Sequence, residues 1–381
     1  MSKTTKITIW LIVAIIIIAG IWWGVSKKLG QIPTTEKETI KIGAILPLSG
    51  GAAAYGEQIK NGIDLALRKI SESNESKVKI NVIYEDSKCD PKESISAYNK
   101  LVDTDGVKII IGTFCSSATL SITPLAERDH VILITPGAAS ARISDEGDYI
   151  FRNHITMKQK TGYLAKMASA KFKKAAIIYN GANDVFVESA SIFRNVFISV
   201  NDNKVVSIES FKTGDIDFRT QLLKIKSKDP EVIYIGSIMP ELALIVKQIR
   251  ELDIDAQILT DDGVLDPNFL KVTRNLSEGI IFGTTKFSKE SAPDFWNTYY
   301  NLFKENPTIF SAQGYDTLNI LYSIISNKCS TGDTLCIKDQ LYKIKDYQGV
   351  SGKTSFDEKG DAIKEVVLKT IKNGKFVPFK D

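Results

Sequence analysis

The sequence has few of the side chains on which most catalytic and metal sites depend. It contains two histidines, His130 and His154, and four cysteines, none of them in a Cys-x-x-Cys pair. The Gly-x-Ser-x-Gly elbow, the phosphate loop, the dinucleotide glycine fingerprint and the His-Glu-x-x-His helix are also absent. These absences argue against a metal site and a histidine-based triad, and they favour an inert binding protein over an enzyme.

An excess of one charge is missing from most of the chain. Lysine and arginine number 49 against 45 acidic residues, and the whole excess of +4 is accounted for by Lys3, Lys6, Lys27 and Lys28. A basic footprint for nucleic acid is therefore absent. The 381 residues are too many for one ordinary core and suit two domains of about 150 residues each.

The first 30 residues contain a long uncharged run, "KITIWLIVAIIIIAGIWWGVSKK". From Ile7 to Val25 it would span roughly 28 Å as a helix, close to the thickness of a bilayer's hydrocarbon core. The pattern predicts a transmembrane helix or a signal sequence. Trp22 and Trp23, just before the small Gly24, suit a membrane interface better than a signal-peptidase site, so an uncleaved anchor is favoured. Because Cys89 is the first cysteine, a lipid-modified N-terminus at this site is excluded.

The four cysteines are compatible with two disulfides, Cys89 with Cys115 and Cys329 with Cys336. Such bonds would place the protein in an oxidising compartment outside the cytoplasm. The alternative is four unrelated buried thiols.

After a polar linker at residues 31–39, strand and helix patterns alternate, which indicates parallel sheets with helices on both faces. The predicted strands are Ile40 to Leu46, Lys79 to Glu85, Val107 to Ile111, Val131 to Thr135, Ala175 to Tyr179, Val205 to Phe211, Val232 to Ile235, Gln257 to Thr260 and Gly279 to Thr284. The predicted helices are Glu57 to Ser71, Pro91 to Asp103, Ala118 to Asp129, Val187 to Asn201, Phe218 to Ser227 and Glu241 to Leu252. Residues 292–345 read as mostly helical, and a hairpin turning at Asn373-Gly374 ends the chain.

Two neighbouring predicted strands end in small residues, in "GTFCSSATL" and "ITPGAAS". Ligands of open α/β sheets bind beyond the carboxyl ends of the strands. Ser116 and Ser117 open the helix after the first of these strands, where free backbone N–H groups and hydroxyl donors favour an anion. Either serine could instead serve as an N-cap, a role compatible with ligand binding.

Several segments resemble the leucine/isoleucine/valine-binding proteins, the type I periplasmic binding proteins that deliver ligand to ABC importers. They are "IKIGAILPLSGGAAAYGEQIKNGIDLAL", "EDSKCDPKESISAYNKLV", "IIGTFCSSATLSITPLAE", "ITPGAASARIS" and "SFDEKGD", and the resemblance runs over residues 40–381. It implies an α/β fold of two Rossmann-like, doubly wound lobes joined by hinge crossings near Asn153, Thr285 and Ser351. Lobe 1 would comprise residues 40–153 and 286–350, and lobe 2 residues 154–285 and 351–381.

The resemblance also implies a ligand site between the lobes. Ser116 would contact the ligand's carboxylate, Tyr55 would cover the ligand, and Asp262 would pair with an α-ammonium. Gly137, Ala138 and Ala139 would contact the ligand backbone. Alternatively, Asp262 caps a helix and Tyr55 is a surface aromatic.

Three positions depart from the family pattern. Ala139 replaces a threonine, and Val185 and Ile238 stand where tyrosines are usual. These changes predict a more apolar pocket. They weaken the prediction that the ligand is an amino acid, and they remain compatible with a small ligand that has an apolar portion. Val185 and Ile238 could instead belong to the core.

The sequence thus predicts an extracytoplasmic solute-binding protein of an ABC importer, without a cofactor. Its partners would be a small amino-acid-like ligand, an ABC permease and, through the N-terminal helix, the membrane. The alternative is a sensor ectodomain that signals through a separate membrane partner.

Overall fold

The structure, a computed structural model, describes residues 3–29, 39–73, 78–330 and 332–380. The chain divides into two compact units, Met1–Glu38 and Thr39–Asp381. Apart from Thr39, the predicted linker at residues 31–39 lies outside the described residues.

In the part of the first unit that the structure describes there is one helix, α1 (Lys3–Leu29). Its large apolar side chains between Ile7 and Trp23 are exposed. Among the residues that the structure describes, no helix combines the length and the apolar character required to cross a bilayer. The predicted transmembrane anchor is therefore not supported.

The second unit begins with a five-stranded parallel sheet in the order β2-β1-β3-β4-β5. Its core lies on both faces, with Ile42 and Ile111 in one apolar cluster and Ile45 and Ile110 in another. Burial on both faces explains why the strands are almost continuously apolar. The strands are β1 (Thr39–Leu46), β2 (Lys79–Asp86), β3 (Ile109–Gly112), β4 (Ile132–Thr135) and β5 (Ile150–Arg152). The helices are α2 (Ala53–Glu72), α3 (Pro91–Asn99) with a π-helical turn (Lys100–Thr104), α4 (Ser116–Arg128) and a 3-10 turn (Ala141–Asp145).

The second lobe repeats the alternation of strands and helices. Its strands are β6 (Lys174–Asn180), β7 (Lys204–Phe211), β8 (Val232–Gly236), β9 (Gln257–Thr260) and β10 (Ile281–Thr285). Its helices are α5 (Met157–Lys171), α6 (Asp184–Phe197), α7 (Arg219–Lys226), α8 (Glu241–Glu251) and α9 (Phe269–Thr273), with 3-10 turns at Asp262–Leu265 and Arg274–Ser277. The two-lobed α/β architecture predicted from the sequence is confirmed.

The remaining helices return to the first lobe. They are α10 (Pro293–Phe303), α11 (Ile309–Asn327) and α12 (Thr334–Tyr342). Helix α11 crosses α2 at close range, since a Cβ on Gly62 would lie 1.9 Å from the carbonyl oxygen of Ser311. Glycine is therefore required at this crossing.

Three short strands then form a small sheet, β11 (Tyr347–Gly349), β12 (Gly352–Phe356) and β13 (Ala362–Ile363). The predicted C-terminal hairpin is confirmed as β14 (Val366–Lys372) and β15 (Lys375–Pro378). The hairpin pairs antiparallel with β10, which gives a seven-stranded sheet in the order β15-β14-β10-β9-β8-β6-β7.

The strand pairing bears on the predicted hinge crossings. The first sheet's last strand ends at Arg152, and β10, after which the chain leaves the second sheet, ends at Thr285, close to two of the predicted crossings. Strands β12 and β13 still pair with β11, and Asp361 forms a parallel bridge to Arg152. The second sheet is rejoined only at Val366. The lobe boundaries stay a prediction, and this pairing favours a third crossing after Ile363 over one near Ser351.

Candidate functional site

The ends of β3 and β4 meet through the hydroxyl of Ser116. Its Oγ accepts hydrogen bonds from the backbone N–H groups of Ala139 and Ser140, both at 3.1 Å. The residue at the N-cap of α4 is Cys115, which makes no side-chain cap bond. Ser116 therefore joins the two loops instead of capping the helix, and its hydroxyl hydrogen is left for donation.

The helix start at Ser116 is also held covalently. Cys115 forms a disulfide with Cys89, with Cα atoms 5.4 Å apart, and Cys329 forms one with Cys336 at 5.8 Å. Both predicted pairings are confirmed. The first disulfide fixes the beginning of α4 to the loop after β2, which preorganises the free N–H groups of its first turn.

A cavity lies between the two lobes at these strand ends. Its volume is about 550 Å³, counting the part open to solvent. Its walls combine polar side chains, such as those of Ser116 and Asp262, with apolar side chains from both lobes. The lining residues are Phe114, Cys115, Ser116, Gly137, Ala139, His154, Met157, Lys160, Asn183, Val185, Phe186, Ser237, Ile238, Asp261, Asp262, Gly263 and Phe310.

The structure brings together six of the nine predicted ligand residues in this cavity. They are Ser116, Gly137, Ala139, Val185, Ile238 and Asp262. Contact of these residues with a ligand stays a prediction, and their shared position is what supports it.

The other three predicted residues lie elsewhere. Ser117 is exposed, and Ala138 is buried in an apolar cluster of the first lobe. Tyr55 is fully buried, so it is not a surface aromatic. Its ring stacks on Phe114 with centroids 4.8 Å apart, which places it behind the cavity wall.

Lys160 is a site residue that the sequence did not indicate. It lies in the first turns of α5, which begins with a capping box between Thr156 and Gln159. Its Nζ donates to Oδ1 of Asp262, and both residues are buried. The capping pattern Thr-x-x-Gln could have located the start of the helix, but no sequence signal shows that this lysine points inward.

His154 completes this polar cluster. Its Nε2 lies 3.5 Å from the Nζ of Lys160 and 3.5 Å from Oδ2 of Asp262. Its Nδ1 pairs with the side-chain amide of Gln313 at 3.0 to 3.1 Å. Burial, reinforced by the charge of Lys160, lowers the pKa of His154 to about 3, so the imidazole is neutral at physiological pH.

The two neighbouring aspartates have different environments. Asp261 accepts hydrogen bonds from the hydroxyls of Tyr234 at 2.5 Å and Thr161 at 2.9 Å, and burial raises its pKa. Asp262 starts a 3-10 turn and pairs with Lys160 through Oδ1. Its buried Oδ2 makes no hydrogen bond with any residue that the structure describes. Asp262 therefore lines the cavity and has one buried carboxylate oxygen without a hydrogen-bond donor among the described residues.

Three sets of contacts hold the lobes together around the cavity. Glu188 of α6 accepts from the hydroxyl of Ser140 at 2.9 Å and from the N–H of Ala141 at 3.1 Å. Arg142 pairs with Asp184 at 2.9 Å. The Tyr55 hydroxyl reaches the second lobe as well, at the carbonyl oxygen of Gly263. The second lobe therefore contacts the first through both α6 and the 3-10 turn that contains Gly263.

Known proteins share this architecture and sequence pattern. A family model described as "Periplasmic binding protein" matches residues 39–375. The Leucine-, isoleucine-, valine-, threonine-, and alanine-binding protein of Pseudomonas aeruginosa is 26% identical over 330 residues, which cover 85% of this chain and 87% of that protein.

Two solved structures are similar over almost their whole length. A leucine binding protein from Thermotoga maritima superposes with a TM-score of 0.83 at 28% identity, covering 90% of this chain and 98% of that one. A branched-chain amino acid transporter substrate binding protein from Streptococcus pneumoniae, in complex with isoleucine, gives a TM-score of 0.81 at 28% identity. The coverage is 89% of this chain and 98% of that one.

Proposed function

The chain belongs to the periplasmic binding protein family, and from this premise we propose that it is the extracytoplasmic solute-binding component of an ABC importer. Its ligand is an amino acid or a similar small carboxylate with an apolar portion, held between the two lobes. The observation that supports this most directly is the inter-lobe cavity at the carboxyl ends of β3 and β4, beside the start of α4.

The carboxylate end of the ligand lies at this helix start. Helix α4 is long enough to present free N–H groups and the positive end of its dipole, and the Ser116 hydroxyl adds a donor beside them. The backbone at Gly137 and Ala139 forms the adjacent wall.

The apolar portion of the ligand lies against side chains from both lobes. Val185, Phe186 and Ile238 come from the second lobe, and Phe114 and Phe310 come from the first. A ligand that touches both walls stabilises the closed arrangement, because it interacts with the closed state more than with the open one. The protein functions by closing around its ligand, and it does not convert the ligand chemically.

The proposed partner is a membrane permease that accepts ligand from the closed protein. The two disulfides suit an extracytoplasmic location, where thiols are oxidised. The relatives named above are amino acid binding proteins, one of them part of a branched-chain amino acid transporter.

A thermal-shift screen of the full chain against amino acids, small carboxylates and the corresponding amides tests this proposal. A ligand that binds only the folded state stabilises it by RT ln(1 + [L]/Kd), so the melting temperature rises with the logarithm of the ligand concentration when that concentration is well above Kd. We expect carboxylates with an apolar portion to raise the melting temperature and their amides to have no effect. Equal shifts by acids and amides would contradict an anion site at α4.

A further inference from the structure

Asp262, the carboxylate predicted to pair with the ammonium group of a ligand, already pairs with the ammonium group of Lys160. Lys160 Nζ donates to Oδ1 of Asp262, and the relative exposures of the two residues are 2% and 3%. His154 and Asp261 are neighbouring titratable groups, and the charges of Lys160 and Asp262 both act on Asp261. His154 contacts both and is neutral, while Asp261 is turned toward Tyr234 and Thr161.

A ligand ammonium at Asp262 would have to share one carboxylate with Lys160. Two cations would then lie within a few ångströms of each other in a cavity largely removed from water, where repulsion between like charges is strong. The protein therefore supplies internally the charge that the α-ammonium of an amino acid would supply. The site as built disfavours a zwitterion.

Asp262 nevertheless retains one buried acceptor for the ligand. Its Oδ2, which lies 3.5 Å from Nε2 of His154, accepts no hydrogen bond from any residue that the structure describes, and a buried acceptor without a donor is costly. An uncharged donor satisfies this oxygen without bringing a second cation to Lys160. A hydroxyl group meets both requirements.

We propose that the cavity selects small carboxylates whose second polar group is an uncharged hydrogen-bond donor, a hydroxyl above all, and discriminates against amino acids. This proposal rests on the proposed function and narrows it, since the carboxylate still lies at α4 and the apolar portion still contacts Val185, Phe186 and Ile238. Lys160 is the specificity-determining residue.

The test uses two matched sets of ligands, titrated into the full chain by calorimetry. One set is leucine, 2-hydroxy-4-methylpentanoate and 4-methylpentanoate; the other is phenylalanine, 3-phenyllactate and 3-phenylpropanoate. In at least one set we expect the hydroxy acid to bind at least tenfold more tightly than the amino acid, and more tightly than the unsubstituted acid.

The outcomes separate this proposal from the proposed function. An amino acid that binds as tightly as its hydroxy analogue overturns the discrimination and leaves the solute-binding function intact. An unsubstituted acid that equals the hydroxy acid overturns the role of the Asp262 oxygen. If none of the six compounds binds, the small-carboxylate assignment fails, and the narrower proposal fails with it.

Variants at Lys160 provide a second test. Lys160→Met removes the ammonium and keeps an apolar stem, so Asp262 becomes free to hold a ligand ammonium. We expect the ratio of leucine affinity to hydroxy acid affinity to rise at least tenfold in this variant, and to stay near its original value in Lys160→Arg, which keeps the cation. An unchanged ratio in folded Lys160→Met overturns the role of Lys160. If Lys160→Met fails to fold, the ligand sets measured on the unmodified protein decide the question alone.

Discussion

The hydroxyl of Tyr55, in the first lobe, donates a 2.7 Å hydrogen bond to the carbonyl oxygen of Gly263 in the second lobe. The same ring stacks on Phe114, which lines the cavity. Burial and nearby carboxylates, Asp266 first among them, raise the pKa of Tyr55, so its hydroxyl remains a donor. One side chain therefore connects a cavity wall to the contact that brings the lobes together.

Replacing Tyr55 by phenylalanine is expected to weaken ligand binding roughly two- to twelvefold, because the closed state loses one hydrogen bond worth about 0.5–1.5 kcal/mol net. Calorimetry on the full chain measures the affinity, and small-angle scattering measures the fraction of closed protein at saturating ligand. Tyr163→Phe, at a residue that is 50% exposed, is the matched control and should leave both unchanged. Equal affinities for the Tyr55 variant and the unmodified protein would show that this bond does not contribute to closure.

Ser116 and Ser117 are adjacent in sequence and differ in position, so they form a natural pair for substitution. Ser116→Ala leaves the N–H groups of Ala139 and Ser140 without their acceptor. We expect its free energy of unfolding to fall by about 1–3 kcal/mol and its ligand affinity to fall as well. Ser117→Ala, at an exposed position, should change the free energy of unfolding by less than about 0.5 kcal/mol. Urea denaturation of the two variants in parallel measures this difference in the free energy of unfolding. Indistinguishable curves would contradict the predicted role of the Ser116 hydroxyl.

The two disulfides close loops of different length, so their removal should have different costs. Cys89 and Cys115 are separated by 26 residues, and Cys329 and Cys336 by 7. From the loop-closure entropy of the unfolded chain, we expect losses of about 3.5 and about 2.4 kcal/mol in the free energy of unfolding. Paired cysteine-to-serine variants measured by urea denaturation test the order. A larger loss from the shorter loop would show that the difference is set by the folded state.

Local pattern was sufficient to predict most of the fold. The first four strands are short apolar runs bounded by turns, and each lies within a few residues of its predicted position. Strand β5, with three residues, is too short to show a period. The small β11–β13 sheet was missed for a similar reason, since its strands have two to five residues and mostly half-exposed side chains.

The candidate site could be predicted only where its residues follow a strand directly. Ser116, Gly137 and Asp262 do so, because parallel strands end at the same edge of a sheet. Lys160 and Phe310 lie on helices, and they reach the cavity through contacts with distant segments of their own lobes, Lys160 with Asp262 and Phe310 with Phe114. Such contacts between distant segments leave no local signal.

The neutral imidazole of His154 predicts a specific loss of stability in acid. Its pKa is about 3 in the folded state and about 6.5 in the unfolded chain, so the unfolded state binds an additional proton between these values. The contribution of the neutral His154 to the free energy of unfolding is complete above pH 6.5 and is lost as the pH falls toward 3. The side chain in His154→Gln cannot titrate. Between pH 6.5 and 4 the free energy of unfolding of this variant should therefore fall less steeply than that of the unmodified protein, and the two slopes should differ by about 1.4 kcal/mol per pH unit. Urea denaturation at several pH values measures both slopes, and parallel curves would contradict a buried neutral imidazole.

The ion pair between Arg152 and Asp361 should contribute far more to stability than the pair between Arg142 and Asp184. Arg152 is fully buried, and both its Nε and Nη2 donate to Oδ1 of Asp361, at 2.8 and 2.6 Å. Asp361→Asn leaves the guanidinium buried without a counter-charge, and we expect a loss of about 3–5 kcal/mol in the free energy of unfolding.

Asp184→Asn is the matched control, because the side chains of Arg142 and Asp184 are 63% and 72% exposed. Its loss should stay below about 1 kcal/mol, since water screens an exposed pair. The comparison also tests the third crossing between the lobes. Asp361 precedes β13 and binds the end of β5, so a large loss is the result expected if the chain remains with the first lobe until after Ile363. Similar losses in the two variants would show that the segment around Asp361 contributes little to holding the first lobe together.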